Sequence, residues 1–129
     1  MGEQLYREII LDHSRNPRNA GVIDQPTVTY QDTNPLCGDE VRMDLILADD
    51  RVADVKFSGR GCAISQAAAS ILTEMVAGQP LDEIKAISRE DILEELGVPI
   101  SPARMKCAML GLKVLKSAIY GVPQADDEL

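Results

Sequence analysis

Val41-Arg42-Met43-Asp44-Leu45-Ile46-Leu47, followed across Asp49-Asp50 by Val52-Ala53-Asp54-Val55-Lys56-Phe57, is the stretch from which the fold is read. Val41, Met43, Leu45 and Leu47 alternate with Arg42, Asp44 and Ile46, the period of two that leaves one strand face apolar. The second run keeps that period, and the Asp-Asp pair between them supplies the turn. Together they predict an antiparallel hairpin. Upstream, Thr27-Val28-Thr29-Tyr30-Gln31 predicts a third short strand by its β-branched and aromatic content. Asp32-Thr33-Asn34-Pro35-Leu36-Cys37-Gly38-Asp39, rich in turn formers, reads as a loop between them. Before these lies an amphipathic helix, with Leu5, Ile9 and Ile10 beside Tyr6 and His13, which Asn16-Pro17 stops. The segment from Arg18 to Pro26 is a connection.

Downstream the pattern changes to helix. Ser58-Gly59-Arg60-Gly61-Cys62 is a second loop, and Ala63 to Val76 is a helix by its Ala, Leu, Ile and Met content, ended by Gly78 and Pro80. Ser88-Arg89-Glu90-Asp91 forms a capping box for a short helix closed by Gly97 and Pro99. Pro102 opens the last helix, whose apolar face is Met105, Ala108, Met109, Leu112, Leu115 and Ile119. Strands first and helices after predict a single α+β domain over 1–129. A small antiparallel sheet would carry its helices on one face, with an acidic tail fraying over about 124–129.

Composition narrows the function. Thirteen Lys+Arg against 21 Asp+Glu, a formal charge of −8, disfavour a nucleic-acid partner, whose phosphates call for clustered cations. No apolar run reaches the roughly 20 residues that span a bilayer, so no membrane association is expected. Met1-Gly2-Glu3-Gln4-Leu5 lacks the basic start and apolar stretch of a secretory signal, Tyr6 occupies the Ser/Thr position of a myristoylation signal, and the cytoplasm is the expected location. Three cysteines, an odd number, argue against a disulfide framework there.

Each of the first two cysteines lies in a glycine-bearing loop, as Cys37-Gly38-Asp39 and Gly59-Arg60-Gly61-Cys62, where another group can approach the sulfur closely. Asp39 adds a carboxylate near Cys37. Cys62 precedes a helix whose N-terminal dipole favours negative charge, and Arg104 and Lys106 bring positive charge to Cys107. Thiolates bind soft metals and attack sulfur, so these positions suit metal or sulfur chemistry. No Cys-x-x-Cys pair is present, and local sequence leaves open whether the three thiols are unrelated or are gathered by the fold. His13 reads as a satisfied, partly buried histidine; Met75, Met105 and Met109 read as core filler; Lys85, Arg89, Glu94 and Glu95 read as solvated surface.

Four motifs, in order, resemble the IscU/SufU family of iron–sulfur cluster assembly scaffolds, related to the N-terminal domain of NifU. They are Asp12-His13-Ser14-Arg15-Asn16-Pro17-Arg18-Asn19, Asn34-Pro35-Leu36-Cys37-Gly38-Asp39, Phe57-Ser58-Gly59-Arg60-Gly61-Cys62-Ala63-Ile64-Ser65 and Ala103-Arg104-Met105-Lys106-Cys107-Ala108. The resemblance covers nearly the whole chain and implies a SufE/NifU-like α+β fold. It implies that Cys37, Asp39, Cys62 and Cys107 hold a transient [2Fe–2S] cluster, or Zn²⁺ in the cluster-free form. Sulfur would come as a persulfide from an IscS/SufS/NifS-like cysteine desulfurase, with Cys37, Cys62 and Cys107 as possible acceptors. The finished cluster would pass to apo-proteins, and a homo-oligomer could shield it. On this reading the protein is a carrier and not an enzyme.

The alternative implied by the resemblance is a SufU-like, zinc-dependent sulfurtransferase on the same four residues. Lys106, where the IscU type has His before its third cysteine, favours that alternative. The interval from Cys62 to Cys107 is too short for the insertion of the SufU type, which favours the scaffold. Ile100-Ser101-Pro102-Ala103-Arg104 stands where the IscU type has the Leu-Pro-Pro-Val-Lys segment for its Hsp70 chaperone, so that chaperone lies outside what the resemblance implies.

Overall fold

A computed structural model describes residues 2–35 and 38–121 of the chain. The elements run α1 (Gly2–Arg15), β1 (Val28–Asn34), β2 (Asp39–Ala48), β3 (Arg51–Arg60), α2 (Ala63–Val76), α3 (Leu81–Lys85), α4 (Arg89–Leu96) and α5 (Pro102–Tyr120). The tail expected to fray over 124–129, the Cys37 thiol and the side chains of Leu5 and Tyr6 lie outside the described residues.

The three strands form one antiparallel sheet in the order β1-β2-β3. Alternation along β2 turns Val41, Met43 and Leu45 toward the helices, and each is completely buried. Val52 and Val55 on β3 are also both buried, although three residues apart they would lie on opposite faces of a regular strand. A register shift between Ile46 and Leu47 resolves this, because one extra residue in β3 re-phases the strand. Helices α2 and α5 cover this face of the sheet, α1 packs on α2, and α4 packs on α2 and α5, as the one-faced α+β reading expects.

Strands extend further than turn chemistry suggested. Asp32, Thr33 and Asn34 belong to β1, Asp39 opens β2, and Ser58 to Arg60 end β3, all residues read above as loop. Ladder pairing of Asn34 with Asp39 and of Glu40 with Arg60 satisfies their backbone groups and outweighs their turn preference. The short helix α3 was not legible either; Lys116 Nζ on α5 donates to its Lys85 carbonyl at 3.3 Å and to the Ile87 carbonyl just beyond it at 2.6 Å. The Ser88 capping box and the left-handed Gly97 cap of α4 are as read. Helix α5 is more buried than its predicted stripe, with Cys107, Leu110, Gly111 and Val114 covered as well. Gly111 sits 3.3 Å (measured from an ideal Cβ) from the Ala69 backbone, so these two helices meet through small residues.

The polar face of the sheet has its own anchor. Buried Asp44 accepts hydrogen bonds from Thr29 Oγ1 at 2.6 Å, Arg42 Nε at 2.9 Å and Ile23 N at 3.1 Å, tying the connection to the sheet. Burial alone would raise its pKa, yet these bonds together hold the carboxyl below its usual 3.8.

His13 is the buried, satisfied histidine expected of the first helix. Its Nδ1 lies 2.8 Å from Ser70 Oγ on α2, and that hydroxyl also accepts the Arg18 N–H at 2.9 Å. Burial, helped by the Arg18 charge, pushes its pKa below 6.5, with Glu74 and Asp12 opposing. The folded state therefore binds this proton less readily than the unfolded chain. Its stabilising effect is complete above pH 6.5 and is lost as the pH falls from 6.5 through the lower folded-state value. We expect the urea midpoint to drop between pH 7.5 and 5.5, and His13→Gln to remove most of that drop; an equal drop in both chains would exclude His13 as its source. Asp44 titrates below 3.8 and lies outside that window.

Candidate metal and sulfur site

One end of the sheet, the start of α2 and the first turns of α5 converge on a cluster of soft and hard ligands. Ladder register sets its first wall. Val28, Tyr30 and Asp32 alternate toward the helices, so Asn34 does too, and its partner Asp39 shares that face with Val41 and Met43. Both Asn34 and Asp39 are buried. Asp39 Oδ1 accepts the Cys62 N–H at 3.0 Å, so a carboxylate caps the N-terminus of α2. Cys62 is the N-cap residue of α2, and its side chain makes no capping bond, which keeps the sulfur available. From α5, Cys107 Sγ meets the same space; the residue is completely buried, whereas Cys62 is half-buried.

Asp39, Cys62 and Cys107 each present one ligand atom, and the three atoms lie within 4.8 Å of one another. Two metal–sulfur bonds of about 2.3 Å at a tetrahedral angle set their sulfurs about 3.8 Å apart, so a closure of about 1 Å at most brings all three onto one ion. Asp39 Oδ2 is buried and finds no hydrogen-bond partner among the described residues. A buried carboxylate oxygen left bare costs about 1–3 kcal/mol, and a cation is the natural partner for it. Gly61 makes room for this arrangement, because an ideal Cβ there would stand 2.5 Å from Asp39 Oδ1. Gly59, at φ +132°, would drive a Cβ to 2.0 Å from the Glu40 carbonyl oxygen. Glycine at 59 and 61 thus lets β3 turn into α2 over the carboxylate.

Three of the four sequence-proposed site residues are therefore brought together, and the fourth, Cys37, lies outside the described residues. Arg104 and Lys106 are exposed, whereas Cys107 between helix and sheet is fully buried. A polar side chain at that sulfur is that of Asn34, whose Nδ2 lies 3.7 Å from Cys107 Sγ. Sequence reasoning took Asn34 as a turn former before Pro35. Extending the strand alternation from Tyr30 by four residues would have turned it inward.

Fold and site define a class: a small α+β domain that gathers cysteine sulfurs and one carboxylate where a sheet end meets two helix starts. The chain belongs to the NifU-like N terminal domain family, whose profile matches residues 5–127. It is 37% identical over 134 aligned positions to the zinc-dependent sulfurtransferase SufU of Bacillus subtilis, covering 91% of this chain and 90% of that one. It is 40% identical over 116 positions to the iron-sulfur cluster assembly scaffold protein IscU of Aquifex aeolicus, covering 88% and 73% respectively. The crystal structure of FiSufU, a protein assigned to the SUF system of Fervidobacterium islandicum AW-1, superposes with a TM-score of 0.76 at 30% identity, covering 92% of this chain and 99% of that one. No helix among the described residues is long and apolar enough to cross a membrane.

Proposed function

We propose that this chain is an iron–sulfur cluster assembly scaffold. Cys37, Asp39, Cys62 and Cys107 hold a [2Fe–2S] cluster while it is built and until an apo-protein takes it. The observation that carries this reading is the convergence of Asp39, Cys62 and Cys107 within 4.8 Å around an unsatisfied buried carboxylate oxygen. Cys37 stands two residues before Asp39 in the chain and supplies the remaining thiolate. Sulfur arrives when one of these thiolates attacks the outer sulfur of a cysteine desulfurase persulfide and releases the desulfurase thiolate. Iron and reducing electrons come separately, and the chain itself turns over no substrate. Three sulfurs favour iron, while the oxygen ligand is the weaker one on such a cluster, which suits a carrier that must release its load.

A second reading has support in the likeness to B. subtilis SufU and in Lys106: a zinc-dependent sulfurtransferase in which the same four residues bind Zn²⁺ and one cysteine accepts the persulfide. One experiment separates the two. The chain is purified anaerobically, assayed for iron, zinc and sulfide, then incubated with Fe²⁺, cysteine, a desulfurase and a thiol reductant before apo-ferredoxin is added. The scaffold reading expects a cluster to form here and then move to the ferredoxin. Tightly held zinc that resists iron, together with faster desulfurase turnover, would replace it with the sulfurtransferase.

A further inference from the structure

Asn34 occupies a place that the ligand set alone does not explain. It is 6% exposed, ends β1, and faces Asp39 across the ladder, so it shares a wall with one ligand. Its carbonyl accepts the Gly38 N–H at 2.8 Å. Its side-chain Nδ2 lies 3.7 Å from Cys107 Sγ, a separation suited to an N–H···S bond because sulfur is larger than oxygen. One residue thus adjoins two of the proposed ligands, Asp39 and Cys107.

A neighbouring ion pair spans the same two elements. Lys113 Nζ on α5 pairs with Asp32 on β1 at 3.0 Å, two residues before Asn34, which fixes the helix bearing Cys107 against the strand bearing Asn34. An amide N–H is a poor match for a neutral thiol, a weak acceptor, and a good match for a thiolate. A buried amide aimed at a sulfur is thus placed for the form of that sulfur that binds a metal.

Resting on the scaffold reading, we infer that Asn34 is a positioning residue for the cluster. Its side-chain N–H donates to Cys107 Sγ, orients that sulfur toward Asp39 and Cys62, and withdraws electron density from it. Hydrogen bonds to ligand sulfurs raise a cluster's reduction potential, since they favour the more electron-rich state. Losing this one lowers the potential.

The test uses the full, isotope-labelled chain loaded with the NMR-active cadmium isotope as the probe. The expected result is a shift of the Asn34 side-chain amide on loading, together with a scalar coupling between that amide proton and cadmium, transmitted through Cys107 Sγ. A merely structural asparagine gives no such coupling. In parallel, Asn34→Leu keeps the branching and heavy-atom count of the side chain and drops both donors. Its reconstituted cluster is expected to show a reduced-to-oxidised ratio about three- to tenfold lower at a fixed solution potential, within what one ordinary hydrogen bond nets. Cadmium bound with no coupling to Asn34 overturns the inference, and so does an Asn34→Leu cluster with an unchanged potential. Should that variant not fold, the coupling in the natural chain decides alone. A chain that takes up no cadmium overturns the proposed site itself, and the role of Asn34 falls with it.

Discussion

Cys62→Ala and Cys107→Ala chains are each expected to keep their fold and to lose the cluster. Cys62 is half-buried and Cys107 wholly buried, and each loses only a sulfur to alanine. Removing one buried heavy atom costs about 1 kcal/mol, a small part of a domain's stability. The effect on loading is of another order. Partners outside the ligand set already change metal affinity about 10–100-fold, so loss of a ligand sulfur is expected to exceed about 100-fold. Iron and sulfide analysis after reconstitution, with circular dichroism on the same samples, measures both halves. Cys37→Ala is expected to behave in the same way. Any cysteine whose alanine variant still loads a full cluster leaves the ligand set.

Asp39→Cys is expected to slow transfer to apo-ferredoxin by at least about tenfold while cluster loading persists. The carboxylate is the only oxygen among the proposed ligands, and one of its oxygens is already committed to the Cys62 N–H at 3.0 Å. A thiolate in its place would make four sulfurs, the set found in clusters that proteins keep. A tenfold change corresponds to about 1.4 kcal/mol, a small difference for exchanging an oxygen ligand for sulfur. Transfer at the wild-type rate from a fully loaded Asp39→Cys chain would remove Asp39 from the release step. The substitution also removes the acceptor of the Cys62 N–H, so thermal unfolding should be followed alongside; a loss of about 1–3 kcal/mol is expected for that orphaned donor.

The local patterns were legible where one physical signal dominated. Ala63 to Val76 is helical because its composition favours nothing else, Ser88 and Asp91 cap α4 reciprocally, and the Val41–Phe57 alternation made a hairpin unavoidable. The ends of the strands were not legible. Asp32 to Asn34 and Ser58 to Arg60 have turn chemistry, and only pairing with residues across the ladder makes them strand. The bulge that buries both Val52 and Val55 is likewise a product of packing.

From the chain alone, residue types and their neighbours marked Cys37, Asp39, Cys62 and Cys107 as candidates for metal or sulfur chemistry, and only the family resemblance implied that the four act as one set. Their spacing contained no geometry, since Cys62 and Cys107 are separated by three helices' worth of chain. Tertiary structure decided that Asp39, Cys62 and Cys107 meet, because strand register turns Asp39 inward, α2 starts against its carboxylate, and α5 crosses the same sheet end. It also decided that the Asn34 amide, 73 positions away in sequence, lies 3.7 Å from the Cys107 sulfur. A residue distant in the chain acts strongly once the fold carries it into a dry site of low dielectric.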